Sequence, residues 1–147
     1  MFLGEYTHTI DAKGRLSIPA AFRSQSVDGI NLTVGFDGCL NGYPKETFRR
    51  LADSAAGNSL GNPQSRALNR ALFSRAAELS YDSAGRILIP ANLRKLADLE
   101  GEVVVVGSGD YFEIWSPEAW EKQAQAIDDP EAQGDRWAMF NISTRGE

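Results

Sequence analysis

The chain has 147 residues, of which 42% are hydrophobic and 24% are charged, a composition that is typical of a globular protein and excludes a disordered or fibrous chain. Its longest apolar run, residues 103–106, is far shorter than the roughly 18 residues that span a bilayer. The single cysteine, Cys39, excludes an intramolecular disulfide, and the N-terminus has neither a basic nor an apolar signal segment. We therefore expect a cytoplasmic protein without a membrane partner.

The net charge of −5 by itself argues against nucleic acid as a partner, but the charges are unevenly distributed along the chain. Residues 1–97 have 12 Lys and Arg against 8 Asp and Glu, whereas residues 98–147 have 3 against 12. Because physiological salt screens charges beyond about 8 Å, an acidic C-terminal part is compatible with a basic surface elsewhere. The charge pattern permits a DNA partner, although the same residues would also serve as an ordinary solvated surface.

Short strands dominate the first part of the chain. We predict, in chain order, strands at 5–10, 15–18, 30–34 and 39–42, with one helical turn at 20–24 and a helix at 45–55. Pro19 ends the second strand and opens the helical turn, because proline lacks a backbone donor but has a φ suited to the start of a helix. Asp37 and Gly38 predict a hairpin turn between the third and fourth strands.

A connecting helix is predicted for residues 61–76. Asn62 and Pro63 form a helix start, and one apolar face recurs at helical spacing: Leu68, Leu72, Phe73, Ala76 and Leu79. Arg66 and Arg70 lie one turn apart on another face, where they are either solvated or available to a phosphate or a neighbouring subunit.

The second part of the chain follows the same order as the first. We predict strands at 77–81, 86–89, 102–106 and 111–115, a helical turn at 91–97, and a helix at 117–127 that begins at Ser116 as its cap. Residues 126–147 are acidic, lack a clear periodicity, and are predicted to form a loosely ordered tail.

An internal repeat explains this shared order. Residues 11–23, DAKGRLSIPAAFR, and residues 82–94, DSAGRILIPANLR, are identical at 7 of 13 aligned positions, where chance would give roughly one. We therefore predict a first repeat at 1–60 and a second at 77–125. A unit of about 45 residues has difficulty burying a core alone, so we expect a shared core and a pseudo-twofold axis.

The repeated motif combines loop-forming residues with an arginine. Asp11 and Gly14 in the first copy, and Asp82 and Gly85 in the second, need only a structural explanation, because Asp caps turns and Gly adopts a positive φ. Arg15 and Arg86 follow them. The planar fork of an arginine grips phosphate or the O6 and N7 atoms of guanine. An equally simple alternative is that each arginine pairs with the aspartate of its own turn.

The opening MFLGEYTHTIDAKGRLSIPAAFR, together with the second DSAGRILIPANLR, resembles the MraZ family of bacterial transcriptional regulators, which belongs to the wider SpoVT/AbrB-like group. The resemblance covers residues 1 to about 125. It implies a mainly β fold with short helices (α+β), built from two tandem swapped-hairpin AbrB-like β-barrel repeats. It further implies a homo-oligomeric ring that binds double-stranded DNA at direct repeats upstream of its own gene and of the division and cell-wall gene cluster, with repression the expected effect, and hence association with the nucleoid.

Carried over residue by residue, the resemblance assigns DNA contacts to Lys13, Arg15 and Arg86. Arg23 and Arg94, which flank the short helical turns, are further candidates for DNA contact. The second loop has Ala84 where the first has Lys13, so we expect the two loops to contact DNA unequally. No cofactor, metal or small-molecule substrate is implied.

Three alternatives remain open. An enzyme would need His8 and Cys39 as a nucleophile pair, but the sequence lacks a glycine-rich phosphate loop and Cys/His metal spacing, so we predict no catalysis. A non-catalytic assembly module would use the same fold without reading a DNA sequence. A toxin-neutralising protein of the swapped-hairpin group usually has one motif rather than two.

Overall fold

The computed structural model describes residues 1–144, apart from three side chains in its last helix. The strands are β1 (Glu5–Ile10), β2 (Arg15–Ser17), β3 (Ile30–Val34), β4 (Leu40–Pro44), β5 (Ala77–Leu79), β6 (Arg86–Leu88), β7 (Gly101–Gly107) and β8 (Phe112–Trp115). The helices are α1 (Ala20–Arg23), α2 (Lys45–Ala56), α3 (Pro63–Phe73), α4 (Ala91–Leu96), α5 (Pro117–Asp128) and α6 (Pro130–Trp137). The expectation of a mainly β fold with short helices is confirmed.

The strands of the two repeats are exchanged within one antiparallel sheet of order β5-β3-β4-β8-β7-β1-β2-β6. β1 of the first repeat pairs with β7 of the second, and β5 of the second pairs with β3 of the first. Each repeat thus gives its first strand to the other, which is the swapped arrangement that the resemblance implied. The exchange relates the halves by a pseudo-twofold axis.

Two equivalent turns connect strands of the sheet, and the second of them links its two ends. The backbone N–H of Asp11 donates to the carbonyl of Arg15 at 3.0 Å, and that of Asp82 donates to the carbonyl of Arg86 at 2.9 Å. The first turn joins β1 to β2, and the second joins β5 to β6. Because β5 and β6 are the two ends of the strand order, the sheet forms a nearly closed eight-stranded barrel.

The barrel has one main core, to which both repeats contribute equivalent residues. Leu16, Ile18 and Phe22 of the first repeat are at most 1% exposed, and their counterparts in the second are fully buried: Ile87, Ile89 and Leu93. Neither repeat could bury these side chains alone, so the shared core follows from the strand exchange.

Most elements lie within two residues of their predicted bounds, and two differ by more. α3 ends at Phe73, three residues before its predicted end. Leu79, which also fits the apolar face predicted for that helix, lies in β5 opposite Ile30 of β3, as the predicted strand at 77–81 requires. Within the predicted tail, α6 forms after Asp129, whose side chain accepts a hydrogen bond from the N–H of Glu131 at 3.0 Å. This aspartate and Pro130 form a local helix start that hydrophobic periodicity does not reveal.

The predicted boundaries at residues 60, 76 and 125 stay a prediction, and the last three residues of the predicted tail lie outside the described residues. Among residues 1–144, every helix is too short or too polar to cross a membrane.

Candidate nucleic-acid interface

β2 and β6 form a two-stranded ribbon with one buried and one outer face. Leu16 lies opposite Ile87, and both side chains are fully buried. Since successive side chains of a strand alternate between faces, the other four residues of the ribbon point outward. We call these four the outer ribbon face: Arg15, Ser17, Arg86 and Leu88.

The register places the two arginines diagonally on this face. Arg15 lies opposite Leu88, and Arg86 lies opposite Ser17. The arginines are therefore two residues apart along the ribbon, which corresponds to about 7 Å. The strand exchange brings together two arginines that are far apart in the chain.

Each arginine leaves a tight turn organised by an aspartate. Oδ1 of Asp11 accepts hydrogen bonds from the backbone N–H groups of Lys13 (3.0 Å) and Arg15 (2.9 Å), and Oδ1 of Asp82 does the same for the second turn, at 2.9 Å in both bonds. Gly14 and Gly85 have φ values of 94° and 75°, a conformation that glycine adopts without steric cost.

In the isolated chain, each arginine pairs with the aspartate of its own turn, which is one of the two alternatives that the sequence left open. Nε of Arg15 donates to Oδ2 of Asp11 at 2.7 Å, and Nε of Arg86 donates to Oδ2 of Asp82 at 2.9 Å. Each guanidinium has no second partner among residues 1–144, and about a third of each arginine side chain is exposed. Because an arginine has five N–H donors, the pairing orients each fork and leaves its terminal groups available to a ligand.

Both aspartates are held in the charged form. The backbone N–H of Arg15 is the main cause that lowers the pKa of Asp11 to about 2, with the guanidinium of Arg15 adding to it. The equivalent bonds of Arg86 lower the pKa of Asp82. Because a lowered pKa means that the folded state favours the carboxylate, both ion pairs are present at neutral pH, and the Asp11 pair weakens only as the pH falls toward 2.

Arg23 and Arg94 lie behind the turns, and each contacts the turn of the other repeat. Arg23 donates to the carbonyl of Ile18, and Nε of Arg94 donates to that of Ile89 at 3.0 Å. A Cβ placed on Gly85 would lie 2.7 Å from Cζ of Arg23, and one placed on Gly14 would lie 2.8 Å from Nε of Arg94. Each guanidinium therefore packs against the turn of the opposite repeat.

This cross-packing leads to a prediction for Gly85→Ala. The alanine adopts a strained positive φ and meets the Arg23 guanidinium, so we expect a loss of about 1–3 kcal/mol in the free energy of unfolding. Adding Arg23→Ala removes the contact, and the double variant should lose at least about 0.5 kcal/mol less than the sum of the single changes. Urea unfolding of the three variants measures both quantities.

Gly38→Ala is the matched control, because Gly38 has a φ of 89° but no atom within 4 Å of an added Cβ. It should show the cost of the backbone strain alone. If Gly85→Ala costs no more than Gly38→Ala, or if the double variant is additive, Arg23 does not support the second turn.

The lysine and alanine of the two turns are both exposed. Lys13 therefore adds a positive charge beside Arg15, while Ala84 adds none beside Arg86. The structure places all the sequence-predicted site residues in or directly behind the two turns. Ser17 and Leu88, which complete the outer ribbon face, are not among the predicted site residues, although the alternation of core and outward residues in the two strands would indicate them.

The structure does not bring His8 and Cys39 together. Cys39 packs with Val104 in a side cluster outside the main core, whereas His8 lies opposite Val103. Since adjacent strand residues face opposite sides of a sheet, the imidazole and the thiol lie on opposite sides of the barrel wall. Burial also raises the pKa of the Cys39 thiol to about 12, which keeps it protonated at neutral pH.

A family model of MraZ proteins, described as antitoxin-like, matches residues 1–71 and, a second time, residues 72–139. The chain belongs to the MraZ family. The transcriptional regulator MraZ of Roseiflexus castenholzii is 49% identical over 128 residues, which cover 87% of this chain and 90% of that protein. The transcriptional regulator MraZ of Herpetosiphon aurantiacus is 41% identical over 143 residues, covering 97% of this chain and all of that protein. Among MraZ relatives, the one from Thermomicrobium roseum is 47% identical over 131 residues, covering 86% of this chain and 89% of that protein.

Proposed function

We propose that this protein is a sequence-specific DNA-binding transcriptional regulator and that the outer ribbon face is its DNA-reading surface. The observation that carries the proposal is the pair of partly exposed arginines on one ribbon, each held by an aspartate of its own turn. Its relatives, which are named transcriptional regulators, support the same conclusion.

The shape and chemistry of the ribbon fit the major groove of DNA. A two-stranded β-ribbon fits into this groove, where an arginine contacts the O6 and N7 atoms of guanine with two hydrogen bonds. The offset of about 7 Å along the ribbon between Arg15 and Arg86 corresponds to roughly two base-pair steps of 3.4 Å. Since the aspartates orient both forks before DNA arrives, less side-chain freedom is lost on binding.

The remaining residues divide into contact and support roles. Lys13 contacts a phosphate beside the base read by Arg15. Arg23 and Arg94 are positioning residues that hold the two turns from behind, since their guanidinium groups pack against Gly85 and Gly14. The unequal turns make the Arg15 end of the ribbon the more strongly attracted to DNA.

We further propose that several copies form a ring that binds direct repeats upstream of the protein's own gene and of the division and cell-wall genes, repressing them at the nucleoid. One module with two base-reading arginines buries little surface and carries a net charge of −5, so it should bind weakly alone. A ring that places equivalent ribbons at repeats about 34–36 Å apart gains affinity through multivalency.

A gel-shift titration tests the DNA proposal. The probes are the DNA upstream of the protein's own gene and a shuffled DNA of the same length and base composition, each at two salt concentrations. We expect at least about tenfold tighter binding to the upstream DNA, and a mass of several subunits by light scattering. Equal affinity for both probes at low salt would instead support the assembly module that reads no sequence, and a monomer would contradict the ring.

The phosphate contact of Lys13 gives a separate prediction. Lys13→Ala should reduce the slope of log affinity against log salt concentration by about 0.9 for each engaged subunit, because one fewer counterion is released. The preference for upstream over shuffled DNA should persist. Lys45→Ala is the matched control, since this exposed lysine begins α2, which packs on β4 across the barrel from the ribbon. An unchanged slope for Lys13→Ala would remove Lys13 from the interface.

A further inference from the structure

The outer ribbon face is chemically asymmetric although the barrel is pseudo-symmetric. Residues 17 and 88 occupy equivalent positions of the repeated motif, but one is Ser17 and the other is Leu88. Leu88 is 57% exposed and lies opposite Arg15, whereas Ser17 lies opposite Arg86. The leucine therefore gives the Arg15 end of the ribbon an apolar contact surface that the Arg86 end lacks.

The fold itself does not require an apolar side chain at this position. The neighbours Ile87 and Ile89 are fully buried and supply the core contacts of this strand, and a serine serves at the equivalent place in β2. A leucine that stays exposed gains no free energy of burial when the chain folds, and it gains that energy only when a partner covers it. Its direct neighbour on the face is Arg15, the residue that reads a base in the proposed function.

The major groove offers one apolar group on the base edges, the 5-methyl group of thymine. We propose that Leu88 contacts the 5-methyl group of a thymine next to the base pair that Arg15 reads. This inference rests on the proposed function and adds a determinant of sequence specificity to it. Leu88 and Arg15 together recognise a methyl group beside a guanine edge.

The asymmetry also gives the ribbon a direction on DNA. A pseudo-twofold ribbon with two identical ends would bind a site in both orientations equally well. The two ends share an arginine and its aspartate but differ beside them: Lys13 and Leu88 lie at one end, and Ala84 and Ser17 lie at the other. Such a ribbon prefers one orientation, as binding to direct rather than inverted repeats requires.

Deoxyuridine substitution tests the methyl contact, because uracil pairs like thymine but lacks the methyl group. Each thymine position of the upstream repeats is replaced in turn, at the same place in every repeat, and the affinity is measured for the wild type and for Leu88→Ser. We expect one position where the wild type loses about fourfold or more in affinity. At that position, replacing thymine by uracil should leave the affinity of Leu88→Ser unchanged. This variant should bind the unmodified DNA as weakly as the wild type binds the substituted DNA.

Leu60→Ser is the matched control, since this leucine is 70% exposed and lies between α2 and α3 rather than on the ribbon. Uracil at that position should weaken the binding of Leu60→Ser as much as it weakens the binding of the wild type. The inference is overturned if Leu88→Ser weakens binding to thymine and uracil DNA alike and keeps the uracil effect. It is equally overturned if the variant changes the elution volume, because Leu88 would then be a subunit contact.

The DNA measurements distinguish a failure of the methyl contact from a failure of the proposed function. Binding that prefers the upstream DNA but shows no uracil effect at any position removes the methyl contact and leaves the proposed function standing. A wild type that does not distinguish upstream from shuffled DNA removes both.

Discussion

Arg15→Ala and Arg86→Ala should each lose most of the specific DNA binding while remaining folded and assembled. A bidentate arginine contact is worth about 1–3 kcal/mol of discrimination, or roughly 5- to 150-fold for one module. In an assembly that engages several repeats at once, the losses multiply. The variants also leave the carboxylate of Asp11 or Asp82 without its arginine, where it repels the phosphates of DNA. A gel-shift titration on the upstream DNA measures the loss.

Arg15→Lys separates charge from geometry. Lysine keeps the positive charge but lacks the planar fork, so we expect this variant to retain binding to shuffled DNA and to lose most of its preference for the upstream sequence. Stability should change little, because the Arg15 and Asp11 side chains are both more than a third exposed and such surface pairs contribute little to folding.

Arg49→Ala is the matched control for both alanine variants, because Arg49 is an exposed arginine of α2 on the side of the barrel away from the ribbon. Its affinity should equal that of the wild type. Wild-type affinity in Arg15→Ala or Arg86→Ala, with assembly intact, would mean that the arginines only pin their turns, as the pairing with Asp11 and Asp82 allows.

Phe22→Ala should give the largest loss of stability, about 3–5 kcal/mol. The Phe22 ring is 1% exposed, and its centroid lies 5.2 Å from that of Phe2 and 5.5 Å from that of Phe112. These rings come from both repeats, so the cavity would weaken the shared core rather than one half. Urea unfolding of Phe22→Ala should show one cooperative transition at a lower midpoint than that of the wild type. The protein concentration is kept the same in both experiments, because assembly adds to the apparent stability.

Phe22→Leu is the control for volume, since the equivalent position of the second repeat is Leu93, also in the core. It should cost less than about 1.5 kcal/mol. Two separate transitions in either variant, or a loss below about 1 kcal/mol for Phe22→Ala, would contradict a single core built by both repeats.

Local chemistry allowed much of the chain to be predicted from its residues alone. Asn62 and Ser116 cap α3 and α5 with side-chain hydrogen bonds to backbone N–H groups, and such caps involve residues within one turn. The bounds of β1 and β3 agree with their predicted extents for a similar reason, since strand propensity and turn residues act over a few positions. The tail helix α6 was missed because its start depends on Asp129 and Pro130 rather than on periodicity.

Three features can be predicted from the residues alone: the two copies of one motif, the aspartate–glycine turn followed by an arginine in each copy, and charges that permit DNA as a partner. The pairing of the strands emerges only in the folded barrel, and with it the position of Arg15 beside Leu88 and the packing of Arg23 against the turn of the other repeat. Pairing between residues about 70 positions apart depends on how both repeats bury one core, and a local pattern does not specify that register. The exchange of strands is thus what brings two separate turns together on one surface.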